Sequence, residues 1–459
     1  MNQQHTPISE HKHHSLRNAI AKHCAGRYSW ANGAVSESKS AVWNGSKELR
    51  PLALIECREG RDVQVALRIA QEYDVPVSVL AGGHDPSVRS VREGAMVLDI
   101  RSNNQVLFDY DQRVVKIGGG TLTGDVLRDL PPDEVIVTGT FSTVGLAGFT
   151  MGGGYGRLNS YFGLALDQLA EATVVLADGR LVQASADSEP DLFWALRGGG
   201  GNFGVATSMS FHVQSVASLL TALIFFPLQH AKSAILQLQE EIDAARDNAS
   251  YFSGFMTSQS GEPVFFLAPL WIGDRSQGEA LITRLSNWDG AQVAQQGWSH
   301  YRDLFSEAFE QQWPKGSHYR LDVQNVTRMT SAVADILIEG ARRFTSSASS
   351  IVIHDFHGAA SVISGSETAF AMRENHYAMQ IIAGWKADSE PADRHQDWAE
   401  TLSNELSGLA LPGGYVNLLH PEEISRVYRF YGPSAERLLE IKAKYDPLNV
   451  FRAPGSLIA

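Results

Sequence analysis

Between residues 43 and 212, apolar and polar positions alternate in short, dense blocks, and each block predicts an element. Val63, Ala66, Leu67, Ala70 and Tyr73 share one face of a 3.6-residue period, which predicts a helix capped by Asp62. Strands are predicted at 76–80 and 95–100, with the glycine run AGGHD (81–85) between them. Residues 106–110 and 113–117 read as a hairpin. A second hairpin joins 173–176 to 180–183 around Asp178-Gly179, a pair that accepts the positive φ angles of a primed two-residue turn. Residues 188–196, SEPDLFWAL, open with the S-x-x-D start of a capping box, and this short helix feeds RGGGGNFG into a strand at 205–213.

Near residue 215 the pattern changes. Glycine runs cease until about 410, and apolar strands such as 222–227 and 264–271 alternate with helical stretches such as 331–343. That alternation predicts an antiparallel sheet flanked by helices, so the expected fold class is α+β. The segment 1–42, with His5, His11, His13 and His14, shows no hydrophobic periodicity and reads as a mobile tail and lead-in. No cysteine stands near those histidines and Glu10 is the single acidic residue among them, so no metal site is expected.

Composition narrows the function classes. A 44% hydrophobic and 19% charged chain of 459 residues supplies two ordinary cores and excludes disorder and fibres. Its 38 basic against 51 acidic residues give a net charge of -13, which offers no general field for nucleic acid. Only Cys24 and Cys57 are present, so a disulfide framework is absent and a reducing cytoplasm is expected. The longest apolar run, 219–228, is too short to span a bilayer, and residues 1–15 carry no apolar signal core. The expected partners are therefore a small molecule and, at most, further copies of the chain as a homo-oligomer.

The 41 glycines cluster in runs that follow strands, where backbone N–H groups can approach a phosphate without interference from Cβ. Gly199, Gly201 and Gly204 match GxGxxG, but a helix precedes them and a strand follows, the reverse of the dinucleotide fold that uses this motif. GxxxxGK[ST], HExxH and GxSxG are absent.

The ordered set AGGHD, GTFSTVGLAGFTMGGGYG, DLFWALRGGGGNFGV, YVN and RLLEIKAKYDPLNVF resembles the vanillyl-alcohol-oxidase-type flavoproteins, and within them the berberine-bridge-enzyme-like oxidases. The resemblance runs from about residue 43 to the end. It implies a p-cresol-methylhydroxylase-type FAD-binding domain over 43–214, a substrate domain over 215–410, and a berberine-bridge-like segment, 411–459, that returns to the first domain. The implied reaction moves a hydride from a secondary alcohol of a sugar or specialised metabolite to covalent FAD, with O2 reduced to hydrogen peroxide. Oxidation at a C–N or benzylic centre that drives ring closure, and a flavin-retaining non-redox protein, are the alternatives.

The same resemblance assigns residues. His84 corresponds to the histidine that bonds the flavin 8α carbon, and Phe141 stands where some members carry a second-link cysteine, so a single link is expected. Val144 matches the oxygen gate. Ala81, Gly82, Gly83, Asp85, Thr143, Val144, Gly145, Gly148, Gly153, Gly154, Gly200, Asn202, Gly204, Val205 and Asn417 fall on cofactor positions, with Asp85 and Arg197 also expected as loop anchors. Tyr155 in GGGYG and Tyr415 in YVN match the tyrosines that take the substrate proton. A free tyrosine titrates at about pH 10, so such a base needs donors or a cation that the sequence does not name. Leu418 and Ser434 depart from the family pattern. From strand alternation, Tyr251, Phe255, Tyr319 and His354 are candidates for the substrate wall.

Overall fold

The computed structural model describes residues 10–244, 249–305, 310–387 and 391–457. The first sheet runs β1 (Tyr28–Trp30), β2 (Ala53–Glu56), β4 (Met96–Asp99), β3 (Val77–Leu80), and β4 lies parallel to both β2 and β3. The helix Gly60–Glu72 crosses between β2 and β3 and buries Val63, Ala66, Leu67, Ile69 and Ala70 against them. Asp62 sits inside its first turn and not at the cap. Its carboxylate accepts the Arg58 amide at 2.9 Å and pairs with Arg27 at 2.6 Å.

The second sheet is antiparallel, in the order β5 (Val106–Asp109), β6 (Val114–Gly118), β10 (Val205–His212), β8 (Leu169–Val175), β9 (Leu181–Ser185). The β8–β9 turn differs from expectation. The Leu176 amide donates to Arg180 at 2.9 Å, and within the intervening loop Gly179 has φ 83° while Asp178 keeps a negative φ. This is a three-residue loop with one left-handed glycine, where a primed turn needs two such residues. The helix Pro190–Leu196 starts with Pro at its first position behind Glu189, and no side-chain cap from Ser188 forms. A small ribbon, β7 (Glu134–Val135) with β11 (Gln214–Ser215), closes this half.

The third sheet has the order β15 (Gln292–Ser299), β12 (Leu219–Pro227), β14 (Pro263–Trp271), β13 (Ala249–Thr257), β17 (Ser350–Phe356), β18 (His376–Trp385), β16 (His318–Val326), with every neighbour antiparallel. Helices Leu228–Ala244, Arg275–Ser286, Ser331–Arg342 and Ala392–Ser407 cover one face through a core that includes Ile235, Leu281, Leu337 and Leu402. Each such side chain, fully buried, stabilises by about 1.5–3 kcal/mol. The opposite face meets Trp43 and Trp313 through Phe252, Phe266, Leu321 and Ile382.

The chain end then returns to the first half. Helix Ser434–Tyr445 buries Leu438 and Ile441 beside Trp194 and Phe203. Lys442, itself buried, donates to Asp446 at 2.5 Å, to the Asn202 carbonyl at 2.7 Å and to the Phe451 carbonyl at 2.8 Å. That buried charge is paired and its three donors are used, as burial requires.

The expected mobile tail is folded from residue 10 onward. Helix Glu10–His23 buries Leu16 and Ile20 in the core that also holds Val63 and Leu67. Only these two large apolar residues, four apart among His and Lys, carry the buried face, so the periodic signal was thin. Helix Asn32–Ala41 also precedes residue 43, while His5 lies outside the described residues. Among the described residues no helix is long and apolar enough to cross a membrane.

Candidate functional site

A cavity of about 300 Å³ opens where the loop after β3, residues 139–151, the glycine loop at 200–206, the tail at 451–454 and the third sheet converge. Ala81, Gly82, Gly83, His84, Asp85, Val144, Gly145, Gly148, Gly200, Gly204, Val205, Asn417, Tyr155 and Tyr415 all line it. Of the other residues expected at the cofactor, Gly153, Gly154 and Asn202 are buried beside this lining and Thr143 is exposed next to it. Thr143 holds His84, the Gly153 carbonyl accepts the Leu166 amide at 3.1 Å, and the Gly154 amide donates to Tyr415. Asn202 spends its side chain on the tail, accepting the Ala453 amide at 2.8 Å and donating to Gly199 at 2.9 Å and Pro454 at 3.2 Å.

The cradle depends on two backbones in contact. A Cβ on Gly82 would lie 2.2 Å from the Gly145 nitrogen, and one on Gly145 would lie 2.5 Å from the Gly82 nitrogen. No other residue permits that approach. Asp85 keeps the first loop closed: Arg89 bonds both its carboxylate oxygens, at 2.8 and 3.0 Å, and reaches the Leu419 carbonyl at 3.2 Å. Arg197 anchors the other loop, donating to the Glu367 carbonyl at 2.9 Å and lying over Phe193.

His84 bonds the Thr143 hydroxyl through Nε2 at 2.7 Å, while Nδ1 has no hydrogen bond with the described residues. Its ring stacks near Trp43 at 5.9 Å and meets Phe141 at 6.2 Å. Burial, with help from Lys315, pulls its pKa down to about 3 and keeps the imidazole neutral. Trp43 is itself pinned, by its amide to the Gly83 carbonyl at 2.8 Å and its indole to the Trp313 carbonyl at 3.1 Å.

The two tyrosines face each other, ring centroids 4.5 Å apart. The Tyr415 hydroxyl accepts the Gly154 amide at 3.0 Å and the Asn417 side-chain amide at 2.9 Å. Burial raises its pKa to about 12, while these donors and the Tyr155 amide pull the other way. Tyr155 differs: its hydroxyl meets His376 Nε2 at 2.8 Å, and burial pushes its pKa well up.

The sheet supplies the remaining wall through Leu321, His354, Gln380 and Ile382. Burial and Arg157 lower the His354 pKa to about 4. Of the other wall candidates, Tyr251 and Phe255 point into the helix-covered core, and Tyr319 stacks on Trp43 at 4.0 Å. The register explains this, because His354 pairs with Phe252, so Tyr251 and Phe255 face the other way. Sequence reading missed His376 and Gln380. The pairings Val352–Gln380 and Phe356–His376 place both on the His354 face, which period-2 counting from His354 would have found had the pairing been known.

The cavity fits FAD. Glycine backbone surrounds one stretch, aromatic rings another, and a Cβ on Gly148 would meet nothing within 4 Å, so its absence widens the channel. A family model for an FAD binding domain matches residues 51–185, and one described as berberine and berberine like matches 414–458. The FAD-linked oxidoreductase YvdP of Bacillus subtilis is 29% identical over 434 residues, 90% of this chain and 94% of the relative. The solved structure of 6-hydroxy-D-nicotine oxidase from Arthrobacter nicotinovorans superimposes with a TM-score of 0.85 at 23% identity, covering 94% of this chain and 97% of that one. Glucooligosaccharide oxidase from Acremonium strictum, described with a 6-S-cysteinyl, 8α-N1-histidyl FAD, gives 0.81 at 21% identity over 96% and 99%. The chain therefore carries an FAD binding domain and a berberine-like terminal segment, and over most of its length it is similar to FAD-linked oxidoreductases.

Proposed function

We propose that this enzyme is an oxidase acting on a secondary alcohol of an uncharged, largely apolar metabolite in a reducing cytoplasm, with FAD linked through His84 alone. The observation that carries the reading is the Tyr155–Tyr415 pair on the cavity wall, with two donors converging on the Tyr415 oxygen. Held in this cradle, FAD would supply a hydride acceptor able to pass the two electrons on to O2 as hydrogen peroxide. Tyr415 is the base: its oxygen holds developing charge against the Gly154 and Asn417 donors while it takes the hydroxyl proton.

His84 suits a covalent attachment because its imidazole is neutral and Nδ1 is left over after Thr143 takes Nε2. Phe141 lies beside His84 on the wall and has no sulfur for a second link. Val144, compact and on the same wall, leaves room for a diatomic gas. The substrate wall sets Trp43, Trp313, Leu321, Ile382 and Leu418 against only two polar side chains of the sheet, His354 and Gln380, an apolar majority that favours a specialised metabolite over a sugar whose hydroxyls each need a partner. Oxygen uptake with stoichiometric peroxide, screened over neutral aromatic alcohols and oligosaccharides, tests the reading. Uptake confined to sugars would overturn the substrate class, and flavin reduction without oxygen uptake would overturn the oxidase.

A further inference from the structure

His376 is buried at the start of β18, stacked on Phe356 with centroids 4.3 Å apart and planes 20° apart. Its Nδ1 lies 2.7 Å from the Glu374 carbonyl oxygen, which can only accept, so Nδ1 carries the proton. Burial drops the ring's pKa to about 4, and the imidazole is neutral at pH 7. In a neutral ring with Nδ1 protonated, Nε2 is an acceptor. The Tyr155 hydroxyl, 2.8 Å away, must therefore donate to it.

We infer that His376 is a positioning residue: by taking the Tyr155 proton it leaves only lone pairs of that oxygen for the cavity, so the pocket selects ligands that donate a hydrogen bond there. The inference rests on the reading of Tyr155 as a substrate-facing group. The surroundings hold the arrangement fixed. Phe356, Phe370, Tyr415 and His354 pack around the Tyr155 ring at 5.4, 6.1, 4.5 and 6.4 Å. The nearby cation, Arg373, is engaged by both oxygens of Asp167 at 2.8 Å. The groups facing the couple are thus neutral His354 and Tyr415 and a closed ion pair.

The two tyrosines then have opposite polarity. In its resting, protonated form Tyr415 accepts from protein donors and keeps its own O–H for the cavity, becoming the base only once that proton is lost, whereas Tyr155 gives its O–H to the protein and keeps its acceptor side. An alcohol, amine or phenol satisfies both at once; an ether satisfies only the first.

Phenol and anisole are suitable probes, since both are neutral aromatic rings and only phenol donates. Titrated into the FAD-loaded enzyme and followed by the flavin absorption spectrum, phenol should bind about three- to tenfold more tightly, the worth of one hydrogen bond. His376→Leu frees the Tyr155 proton to point either way, and the preference should fall below about twofold. His376→Gln keeps an acceptor near the Nε2 position and should restore it. In parallel, 15N-imidazole NMR of the holoenzyme should find His376 Nε2 unprotonated and its resonance shifted by Tyr155→Phe. A protonated Nε2, or equal responses to phenol and anisole in the wild type, no response included, would overturn the inference. Because neither probe can yield a hydride from a secondary carbon, this outcome is separate from whether the enzyme oxidises alcohols.

Discussion

The Gly154 amide donates to the Tyr415 hydroxyl at 3.0 Å, which ties the GGGYG loop to the terminal segment at the oxygen of the proposed base. Residues 261 positions apart in sequence thus meet at one buried oxygen. Asn417 joins them there from two residues away. A proton acceptor buried this deeply needs such donors, because burial alone disfavours its anion.

Tyr415→Phe removes the proposed base and should lower kcat by about 100-fold or more while FAD content stays unchanged. Stopped-flow reduction of the flavin checks it; unaltered reduction would take Tyr415 out of the reaction.

Asn417→Leu deletes one donor to the anionic form, so the Tyr415 pKa, already raised by burial, should rise further. A hydrogen bond to a charged group is worth about 1.5–3 kcal/mol, roughly 10- to 100-fold. The rising limb of kcat/KM against pH should move to higher pH. A profile that drops in height without moving would assign Asn417 to packing.

Gly82→Ala places a methyl group 2.2 Å from the Gly145 nitrogen, and backbone cannot step aside as a flexible side chain would. We expect destabilisation of about 1–3 kcal/mol and reduced FAD content, read by thermal unfolding and by flavin-to-protein absorbance. Wild-type stability and flavin content would show that the two loops are not held in contact in solution.

His420 and Asp322 pair at 3.4 Å, joining the terminal segment to β16. Asp322 raises the His420 pKa, whereas burial pushes Asp322 up but its bonds to His420 and Arg320 outweigh that and hold it down. The His420 contribution is complete below the unfolded histidine value of about 6.5 and is lost as pH rises through the raised folded value. The Asp322 contribution is present above the ordinary carboxylate value of about 3.9 and is lost as pH falls through the lowered one. His420→Asn should therefore cost about 1 kcal/mol near pH 5.5 and less near pH 8.5. Urea midpoints at the two pH values decide it, and an equal cost at both would refute the ionic origin.

Sequence carried the local elements well where period and punctuation agreed, as in the helix around Leu67 and the hairpin joining β5 to β6. It carried His84, Tyr155 and Tyr415 to a common cavity because each sits in a short motif. It missed what depends on pairing between distant strands. His376 lies in no motif, and its partner Tyr155 is 221 residues away. Thr143, Gly154 and Asn202, expected on cofactor positions, hydrogen-bond to His84, Tyr415 and the tail. Motif position brings these residues to the loops of the cavity, whereas the partners they bond lie far off in sequence and are not read from it.

Acid precipitation of the purified protein, beside His84→Ala, tests the proposed histidyl link to FAD most directly. The yellow chromophore should stay with the wild-type pellet and pass into the supernatant from the variant. Colour released from the wild type would contradict the single histidyl link, and a colourless preparation of both would contradict the FAD-dependent oxidase itself.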